Sequence, residues 1–327
     1  MALSSAFVDH HVTHWTTELG SGSRSYRKHW PQCLFHHAPL ENAVAILRDG
    51  NIRARNDPLR QHIRDVAAPG VIDNRVDAHH RVRLYFRPRT PTQFHIEGIQ
   101  KGGECNYGPG AHAPVLVMFV LDAKSILTLP NTMFSDRNMQ SNGARTGDSQ
   151  DFFSSIPFES VYHEGGIAGD YSIIAHRCAE ILPATPLSLD GVLKGIWCRS
   201  EPERDTLLHQ LGMERPKWEK LCQVSEELKV FDKRFAFVSD IGLSSEGVSF
   251  RINYRHDLAP INISIQATDE DGKLCVNFGN TEFKTHNNSS GRWIFRTPLE
   301  PSNYLVRVTI EGHLAYEGWI ALQDSLI

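Results

Sequence analysis

The feature that most constrains the fold is an interrupted strand in the first third of the chain. Val82, Leu84 and Phe86 alternate with arginines, which is the period-2 pattern of a strand with one buried face. Pro88 and Pro91 end this pattern, because proline has no N–H to donate to a neighbouring strand. The sequence therefore predicts a core strand whose end presents several arginines beside aromatic rings.

This strand carries a candidate nucleic-acid surface, because guanidinium groups suit phosphate and aromatic faces suit bases. Residues 51–100 contain nine arginines, no lysine and five carboxylates, so the region is locally basic although the net charge of the chain is −4. A solvated edge strand with scattered charge is the other interpretation. The candidate contacts to nucleic acid are Arg81, Arg83, Tyr85, Arg87, Arg89, Phe94 and His95.

The surrounding sequence, residues 31–235, predicts an α+β domain. A short strand at 33–37 leads into a helix that ends at Gly50, a residue suited to the left-handed end of a helix. The nearly continuous apolar run at 113–121 predicts a central strand that is buried on both faces. Another helix is predicted to begin after Ser200, which serves as its N-cap.

The sequence pattern changes after Phe231. Seven short alternating runs follow, separated by turns such as Asp271-Gly272, and this is the pattern of an antiparallel β-sandwich. We therefore predict a sandwich domain over residues 236–327. Residues 1–30 are polar and mixed, and they read either as a disordered lead or as a short capping helix.

Composition and motifs exclude several classes of protein. The six cysteines form no CxxC pair, which argues against zinc ribbons and a disulfide framework and for a reducing compartment. No apolar run reaches membrane-span length and no signal peptide is recognisable, so we expect a cytoplasmic protein without membrane contact. Walker, GxGxxG, GxSxG and HExxH motifs are absent from the sequence. Adjacent histidines on a strand point to opposite faces, so no metal site is expected.

Transfer from a nucleotide is the chemistry that the remaining residue types suit. It needs a carboxylate to hold a ribose hydroxyl, a polar group for the leaving group and a cation near phosphate. Glu180, His36 and the arginines are of these types. Spacing alone does not join them: His36 also reads as a satisfied core histidine, and Glu180 as a strand-edge carboxylate paired with Arg177.

Three blocks in this order resemble the DarT-type NAD-dependent nucleic-acid ADP-ribosyltransferases. Residues 34–50 are similar to the family motif I-Y-H-I-T-H-x-x-N-L…I-L-x-x-G, with Pro39 in place of the second His. Residues 85–91 are similar to Y-F-x-P-R-S/T-P, and residues 179–182 to A-E-F-L. Phe134-Ser135-Asp136-Arg137 is similar to F-T-D-R, and the resemblance covers roughly residues 31–230.

The resemblance implies a split mixed sheet with a cleft for NAD, followed here by the all-β sandwich. It implies that Glu180 holds the nicotinamide ribose and stabilises an oxocarbenium-like transition state, and that residues 140–178 recognise the acceptor. It also implies a catalytic arginine upstream of Tyr85, for which Arg75 is the first choice and Arg64 the second. The residues expected to contact NAD are His36, His37, Ala38, Ala45, Arg53 and Arg75.

The function implied by the resemblance is transfer of ADP-ribose from NAD, without a metal, to a base in single-stranded DNA, with RNA left open. A toxin or phage-defence role and a macrodomain antitoxin partner are further expectations. Two other functions stay open on the sequence: a non-catalytic single-stranded nucleic-acid-binding protein, and an ADP-ribosyltransferase that modifies protein.

Overall fold

The structure, a computed structural model, describes residues 2–61, 63–64, 79–101, 110–139, 141, 143–254, 259–285 and 291–322. The α-helices within these ranges are α1 (Ser5–Glu18), α2 (Leu40–Asp49), α3 (Pro91–Ile96), α4 (Ala123–Leu127), α5 (Gln150–Ser154), α6 (Phe158–Val161), α7 (Ser172–His176), α8 (Glu201–Leu211) and α9 (Arg215–Trp218). Short 3₁₀ segments lie at Ser25–His29, Gly212–Glu214 and Glu219–Leu221.

The strands fall into two groups along the chain. The first group is β1 (Cys33–Pro39), β2 (Asn51–Ile52), β3 (Leu84–Tyr85), β4 (Leu116–Asp122), β5 (Met133–Ser135), β6 (Thr146–Gly147), β7 (Glu180–Leu182), β8 (Leu187–Ser188), β9 (Leu193–Trp197) and β10 (Cys222–Gln223). The second group is β11 (Val238–Ser244), β12 (Gly247–Ile252), β13 (Ile261–Asp269), β14 (Leu274–Phe283), β15 (Trp293–Arg296), β16 (Ser302–Ile310) and β17 (His313–Leu322).

The first group builds one mixed sheet with the order β10-β9-β4-β1-β3-β7-β5-β6. β10 and β9 are parallel, and the other neighbours are antiparallel. β4 lies inside the sheet and is buried along nearly its whole length, as its continuous apolar run predicts. The predicted strand and helix before Gly50 are confirmed as β1 and α2, and Gly50 ends α2 with a left-handed φ of 70°.

β3 is an inner strand between β1 and β7, so the interpretation as a solvated edge strand is wrong. The strand is also shorter than the alternating pattern suggests. After Pro88 the chain turns, and Pro91 occupies the first turn of α3 with Thr90 as its N-cap. The two prolines thus end one element and begin the next, and Phe94 lies on a short helix.

The N-terminal residues 5–18 form α1, so they are not a disordered lead. Val8 is buried in the core beneath the mixed sheet. His11 packs edge-on against Phe153 and Phe158, with ring centroids 4.9 and 4.4 Å away. α1 therefore covers the segment that precedes Glu180 along the chain.

The second group of strands forms two antiparallel sheets, β11-β12-β15 and β14-β13-β16-β17. Buried side chains from both sheets form one apolar core, including Val248, Phe250, Ile265 and Val306. The architecture predicted from the sequence, an α+β part followed by an all-β sandwich, is confirmed.

The sandwich packs on the mixed-sheet part through α8. Ser200 Oγ donates to the carbonyl of Val238 at 2.6 Å, and the amide of Glu317 on β17 donates to Thr206 Oγ1 at 3.1 Å. Gln210 donates to the Glu317 carboxylate at 2.7 Å. None of the helices in the ranges given above is long and apolar enough to cross a membrane.

Candidate active site

A cavity of about 940 Å³ opens where β1 and β3 meet α2. A volume of this size accommodates a cofactor-sized ligand. Its walls come from the end of β1, from α2 and the residues after it, from β3 and α3, and from the segment before β7. Among the residues that the structure describes, the lining is strongly basic and has one carboxylate, Asp49; its arginines are Arg48, Arg53, Arg55, Arg60, Arg64, Arg81 and Arg83.

Beside the cavity, Glu180 and Arg83 form a buried ion pair. Arg83 Nε donates to Glu180 Oε2 at 3.0 Å, and Arg83 Nη2 donates to Glu180 Oε1, so the contact is bidentate. The Glu180 side chain is fully buried, whereas Arg83 keeps 27% exposure and lines the cavity. The ion pair thus reaches the cavity wall through Arg83. The pairing of Glu180 with Arg177 that the sequence also allowed is wrong.

Strand register brings these two residues together. Tyr85 on β3 is directly opposite Glu180 on β7, and residues opposite each other in an antiparallel pair share a face. Because side chains two apart on a strand also share a face, Arg83 lies on the Glu180 side. Burial raises the pKa of Glu180, and the opposing effect of Arg83 does not cancel it. The carboxylate holds the pKa of Arg83 above its usual value even though burial acts to lower it.

His36 and His37 form the cavity wall at the end of β1. His36 Nδ1 lies 3.0 Å from the carbonyl oxygen of Arg83. Burial lowers the pKa of His36 to about 4, so the ring is neutral at pH 7. Since a carbonyl only accepts, Nδ1 carries the proton and Nε2 is left as an acceptor. His37 stacks on the Tyr85 ring at 5.4 Å, and burial lowers its pKa to about 3.

A second layer of polar residues holds Glu180 in place. Ser135 Oγ accepts the Glu180 amide N–H at 3.0 Å. Buried Asp136 accepts from Arg145 Nε at 2.9 Å, and its backbone carbonyl accepts from His176 Nδ1 at 2.7 Å. The block similar to F-T-D-R thus anchors the segment before β7. The sequence alone did not predict this role.

The segment before β7 forms the far wall of the cavity. Asn138, Ser141, Tyr171, Ile174 and Ala175 line it there. Tyr171 is 75% exposed, so an aromatic ring is available at the mouth of the cavity. The resemblance implied a role for residues 140–178 in recognising the acceptor but no secondary structure, and the region contains β6 and the short helices α5, α6 and α7.

The cavity brings together most of the residues singled out from the sequence. Those that line it are His36, His37, Ala38, Ala45, Arg53, Arg81, Arg83, Tyr85 and His95. All three of these arginines have partners in the protein: Arg83 pairs with Glu180, as described above, and the other two are held by other groups. Arg53 Nε pairs with Asp49 at 2.6 Å, and Arg81 Nη1 donates to the carbonyl of Asn131 at 2.6 Å.

Arg87, Arg89 and Phe94 lie away from the cavity lining. Arg87 is buried, contrary to its expected exposure, because its guanidinium donates to the Glu164 carboxylate at 2.8 Å and lies over the Trp30 ring. Arg89 donates to Tyr26 Oη at 2.7 Å. The Phe94 ring is covered on one side by the guanidinium of Arg234 at 4.8 Å.

Arg75, the first choice for the catalytic arginine, lies outside the described residues. Arg64, the second choice, lines the cavity. Its backbone is held from both sides by the Asn42 side chain, at 2.7 Å to the Arg64 carbonyl and 3.1 Å from the Arg64 amide. Its guanidinium lies 3.5 Å from Glu41. Among the residues that the structure describes, no three His, Cys, Asp or Glu side chains cluster as a metal site.

Comparison with known proteins assigns the class of protein. The family described as "DarT: ssDNA thymidine ADP-ribosyltransferase, DarT" matches residues 35–226, more than half of the chain. The protein is thus an enzyme of the NAD-dependent ADP-ribosyltransferase class. It belongs to the DarT family, as the sequence blocks predicted. No curated protein matches the chain significantly.

Solved structures of DarT proteins are also similar to this chain. Thermus sp. 2.9 DarT in complex with ADP-ribosylated ssDNA is 20% identical with a TM-score of 0.49, covering 61% of this chain and 96% of that chain. Thermus sp. 2.9 DarT in complex with NAD+ is 20% identical with a TM-score of 0.47, covering 61% and 97%. Thermosipho africanus DarTG in complex with ADP-ribose is 12% identical with a TM-score of 0.43, covering 68% and 55%.

Proposed function

We propose that this protein transfers ADP-ribose from NAD to the thymine base of thymidine in single-stranded DNA. The observation that carries the proposal is the Glu180–Arg83 pair at the wall of a basic cavity within the family match. The family description names thymidine in single-stranded DNA, which supports this acceptor over RNA or protein.

The residues of the cavity suit NAD as the substrate. The seven arginines of the lining match the negative charge of a pyrophosphate. His36 Nε2 is an acceptor that suits the amide N–H of a nicotinamide, and Glu180 has the chemistry to hold a ribose hydroxyl. His37, Ala38, Ala45 and Arg53 line the same walls, and we assign them to NAD binding.

The reaction that we propose breaks one bond and forms one. The glycosidic bond between ribose C1′ and nicotinamide breaks, and its electron pair leaves on nicotinamide. N3 carries the only ring N–H of thymidine, so a new bond forms between C1′ and N3 as the N3 proton is released. Glu180 stabilises the positive charge that develops on the ribose as nicotinamide departs. An arginine near the phosphates completes the site, and Arg75 and Arg64 are the two candidates.

Two wider assignments are also our proposals. We place the transferase domain at residues 31–235 and the sandwich domain at 236–327. We also retain a toxin or phage-defence role with a macrodomain antitoxin, on the basis of membership in the DarT family.

The test uses purified protein, labelled NAD and four oligonucleotides of equal length: DNA with one thymidine, DNA without thymidine, the matching RNA with uridine, and duplex DNA. Mass spectrometry is expected to show a gain of one ADP-ribose on the single-stranded DNA with thymidine alone. A gain on DNA that lacks thymidine, on RNA only or on the protein itself would contradict the assigned acceptor. Nicotinamide release without any labelled acceptor would contradict transfer to DNA.

A further inference from the structure

Five arginines surround one turn of the chain outside the cavity. The turn is Tyr162–Gly165, between α6 and α7. The arginines, called here the arginine cluster, are Arg24, Arg27, Arg87, Arg89 and Arg177. They come from three separate segments of the chain, and none of them lines the cavity that contains the NAD site.

Backbone carbonyls hold most of these guanidinium groups. Arg27 Nη1 donates to the Tyr162 carbonyl at 2.8 Å, and Arg177 Nη2 donates to the Gly165 carbonyl at 2.6 Å. Arg24 lies against the same glycine, since a Cβ added at Gly165 would be 2.5 Å from Arg24 Nη2. Gly165 has a φ of 100°, so the turn that brings Arg24 and Arg177 together depends on glycine.

The cluster has far more positive than negative charge. Glu164 is shared by Arg87 at 2.8 Å and Arg89 at 2.9 Å. Within the ranges that the structure describes, Arg24, Arg27 and Arg177 pair with no carboxylate. Carbonyl oxygens satisfy hydrogen bonds but do not neutralise charge, so within the described residues the carboxylate of Glu164 is the main counter-charge for five clustered guanidinium groups.

Burial and mutual repulsion destabilise the charged form of these arginines, and a bound anion would stabilise it. Burial lowers the pKa of Arg177 and of Arg27, the negative charge of Glu164 offsets this only in part, and the positive charge of Arg24 adds to the lowering. The Nε atoms of Arg89 and Arg177 are buried and make no hydrogen bond with the described residues. Asp232 is nearby, but burial raises its pKa to about 7, so it is an incomplete source of negative charge at neutral pH. The cluster is therefore rich in donors and poor in acceptors, as phosphate sites are.

The cluster is adjacent to the cavity along the chain. Arg177 directly precedes Cys178, and Arg89 precedes Pro91 by two residues; both Cys178 and Pro91 line the cavity. Two of the segments that carry the cluster therefore also contribute to the cavity wall, which places the cluster beside the cavity that would receive the base. Arg24 and Arg27 lie before residues 35–226, the part of the chain that the family model matches.

We propose that the arginine cluster binds a backbone phosphate of the single-stranded DNA whose base is modified in the cavity. The inference rests on the proposed function for the identity of the strand. It adds a phosphate site outside the NAD cavity, with Arg24 as its most exposed cation.

The first test measures DNA binding by fluorescence anisotropy for the wild-type protein and for Arg24→Gln, without NAD. Arg24 is exposed and makes no ion pair within the described structure, so this change leaves the fold intact. The dissociation constant for a thymidine-containing oligonucleotide is expected to rise roughly tenfold. The slope of log K against log salt is expected to fall by about 0.7, as for one phosphate contact on a single strand. Arg296→Gln, on a side chain with 79% exposure in the sandwich, is the matched control and is expected to change neither value.

The second test replaces single phosphates with neutral methylphosphonates along the oligonucleotide. Wild-type protein is expected to lose affinity at one linkage at a fixed distance from the thymidine, and Arg24→Gln is expected to be insensitive at that linkage. Inorganic phosphate is titrated separately by calorimetry, to separate a strand phosphate from a free one. Equal affinities, salt slopes and methylphosphonate profiles for wild type and Arg24→Gln would overturn the proposal. So would binding of inorganic phosphate at the cluster without any effect of Arg24→Gln on DNA.

The two proposals fail in different ways. If the proposed function is wrong, wild-type protein adds no ADP-ribose to DNA whatever the binding data show. If the cluster is wrong, transfer proceeds and Arg24→Gln has the wild-type KM for DNA. Binding of NAD is expected to be unchanged in Arg24→Gln, because Arg24 lies outside the cavity lining.

Discussion

Two arginine–glutamate pairs in this protein have the same chemistry but different surroundings. Glu180 and Glu203 are both fully buried, and each takes two hydrogen bonds from one guanidinium. Arg83 faces the cavity, whereas Arg199 is enclosed, with its guanidinium 4.7 Å from the Phe237 ring and bonded to the Pro114 carbonyl. A buried ion pair by itself therefore does not indicate an active site; access to a cavity is what separates the two pairs.

Loss of each carboxylate is expected to reduce the stability of the folded protein by a different amount. Removing one partner of a buried pair leaves an uncompensated charge, which destabilises a protein by about 3–5 kcal/mol. Arg83 is 27% exposed at the cavity wall, so solvation of its guanidinium is expected to relieve part of that penalty. Arg199 is enclosed and cannot be solvated in this way. Removal of Glu203 is therefore expected to lower the free energy of unfolding by the full penalty.

The largest expected effect is on catalysis by Glu180→Gln. The amide keeps the shape of the side chain but loses the negative charge that stabilises the transition state, so the transfer rate is expected to fall about 10³-fold. Affinity for NAD, measured by calorimetry, is expected to change little, because the carboxylate acts mostly in the transition state. Glu203→Gln is the matched control. Comparable activity of Glu180→Gln and wild type would contradict the role assigned to Glu180.

The next effect is on stability in Glu203→Ala. The free energy of unfolding is expected to fall by about 3–5 kcal/mol, because Arg199 stays buried without its partner. Denaturant titration measures this change. The transfer rate per folded molecule is expected to stay within about twofold of wild type, given that Glu203 lies outside the cavity lining. A stable but inactive Glu203→Ala protein would reverse the distinction between the two pairs.

The smallest expected effect is on the pH dependence of stability. It involves two histidines, one at the cavity and one enclosed, as in the two ion pairs. His36 faces the cavity, and His11 is enclosed by aromatic rings; burial lowers the pKa of His36 to about 4 and of His11 to about 3, from an ordinary 6.5. Below pH 6.5 the unfolded chain binds protons that the folded chain refuses. The stabilising effect of each neutral ring is therefore complete above pH 6.5 and is lost as the pH falls towards 4, by up to about 1.4 kcal/mol per pH unit for each ring.

Replacing either ring tests this assignment. His11→Gln and His36→Gln are each expected to reduce the slope of unfolding free energy against pH between 4 and 6.5, measured by denaturant titration across that range. Only His36→Gln is expected to reduce transfer as well, because only His36 lines the cavity. Identical slopes for wild type and both variants would show that the rings are not held neutral in the folded protein.

Much of the fold was predictable from local pattern. The apolar run of β4, the stripe and Gly50 of α2, and the alternation of the seven sandwich strands each dictate an element without help from distant residues. The position of β3 was not predictable in the same way. Its alternating residues fit an edge strand equally well, and only the tertiary pairing with β1 and β7 decides between the two.

The sequence predicted which types of residue form the site, but it did not predict which of their side chains contact each other. The blocks that resemble the DarT family located Glu180 and His36 near one cavity. The partner of Glu180 depends on strand register, which the sequence did not reveal. One signal was present in the sequence: Arg83 is two residues before Tyr85, so the two side chains share a face, and Tyr85 pairs with Glu180. The burial of Arg87 depends on Glu164, which is seventy-seven residues away along the chain, and no local sequence pattern predicts such a contact.

The packing of α8 between the two parts of the molecule limits how genes of this type can be shortened or recombined. Thr206 and Ser200 of this region share hydrogen bonds with β17 and β11, and Arg199 is enclosed by Phe237 from the start of the sandwich. A gene that ended at residue 235 would leave these groups facing water and the Arg199–Glu203 pair without its cover. Exchange of the sandwich for an unrelated module would meet the same obstacle, because the new module would have to restore these contacts with α8.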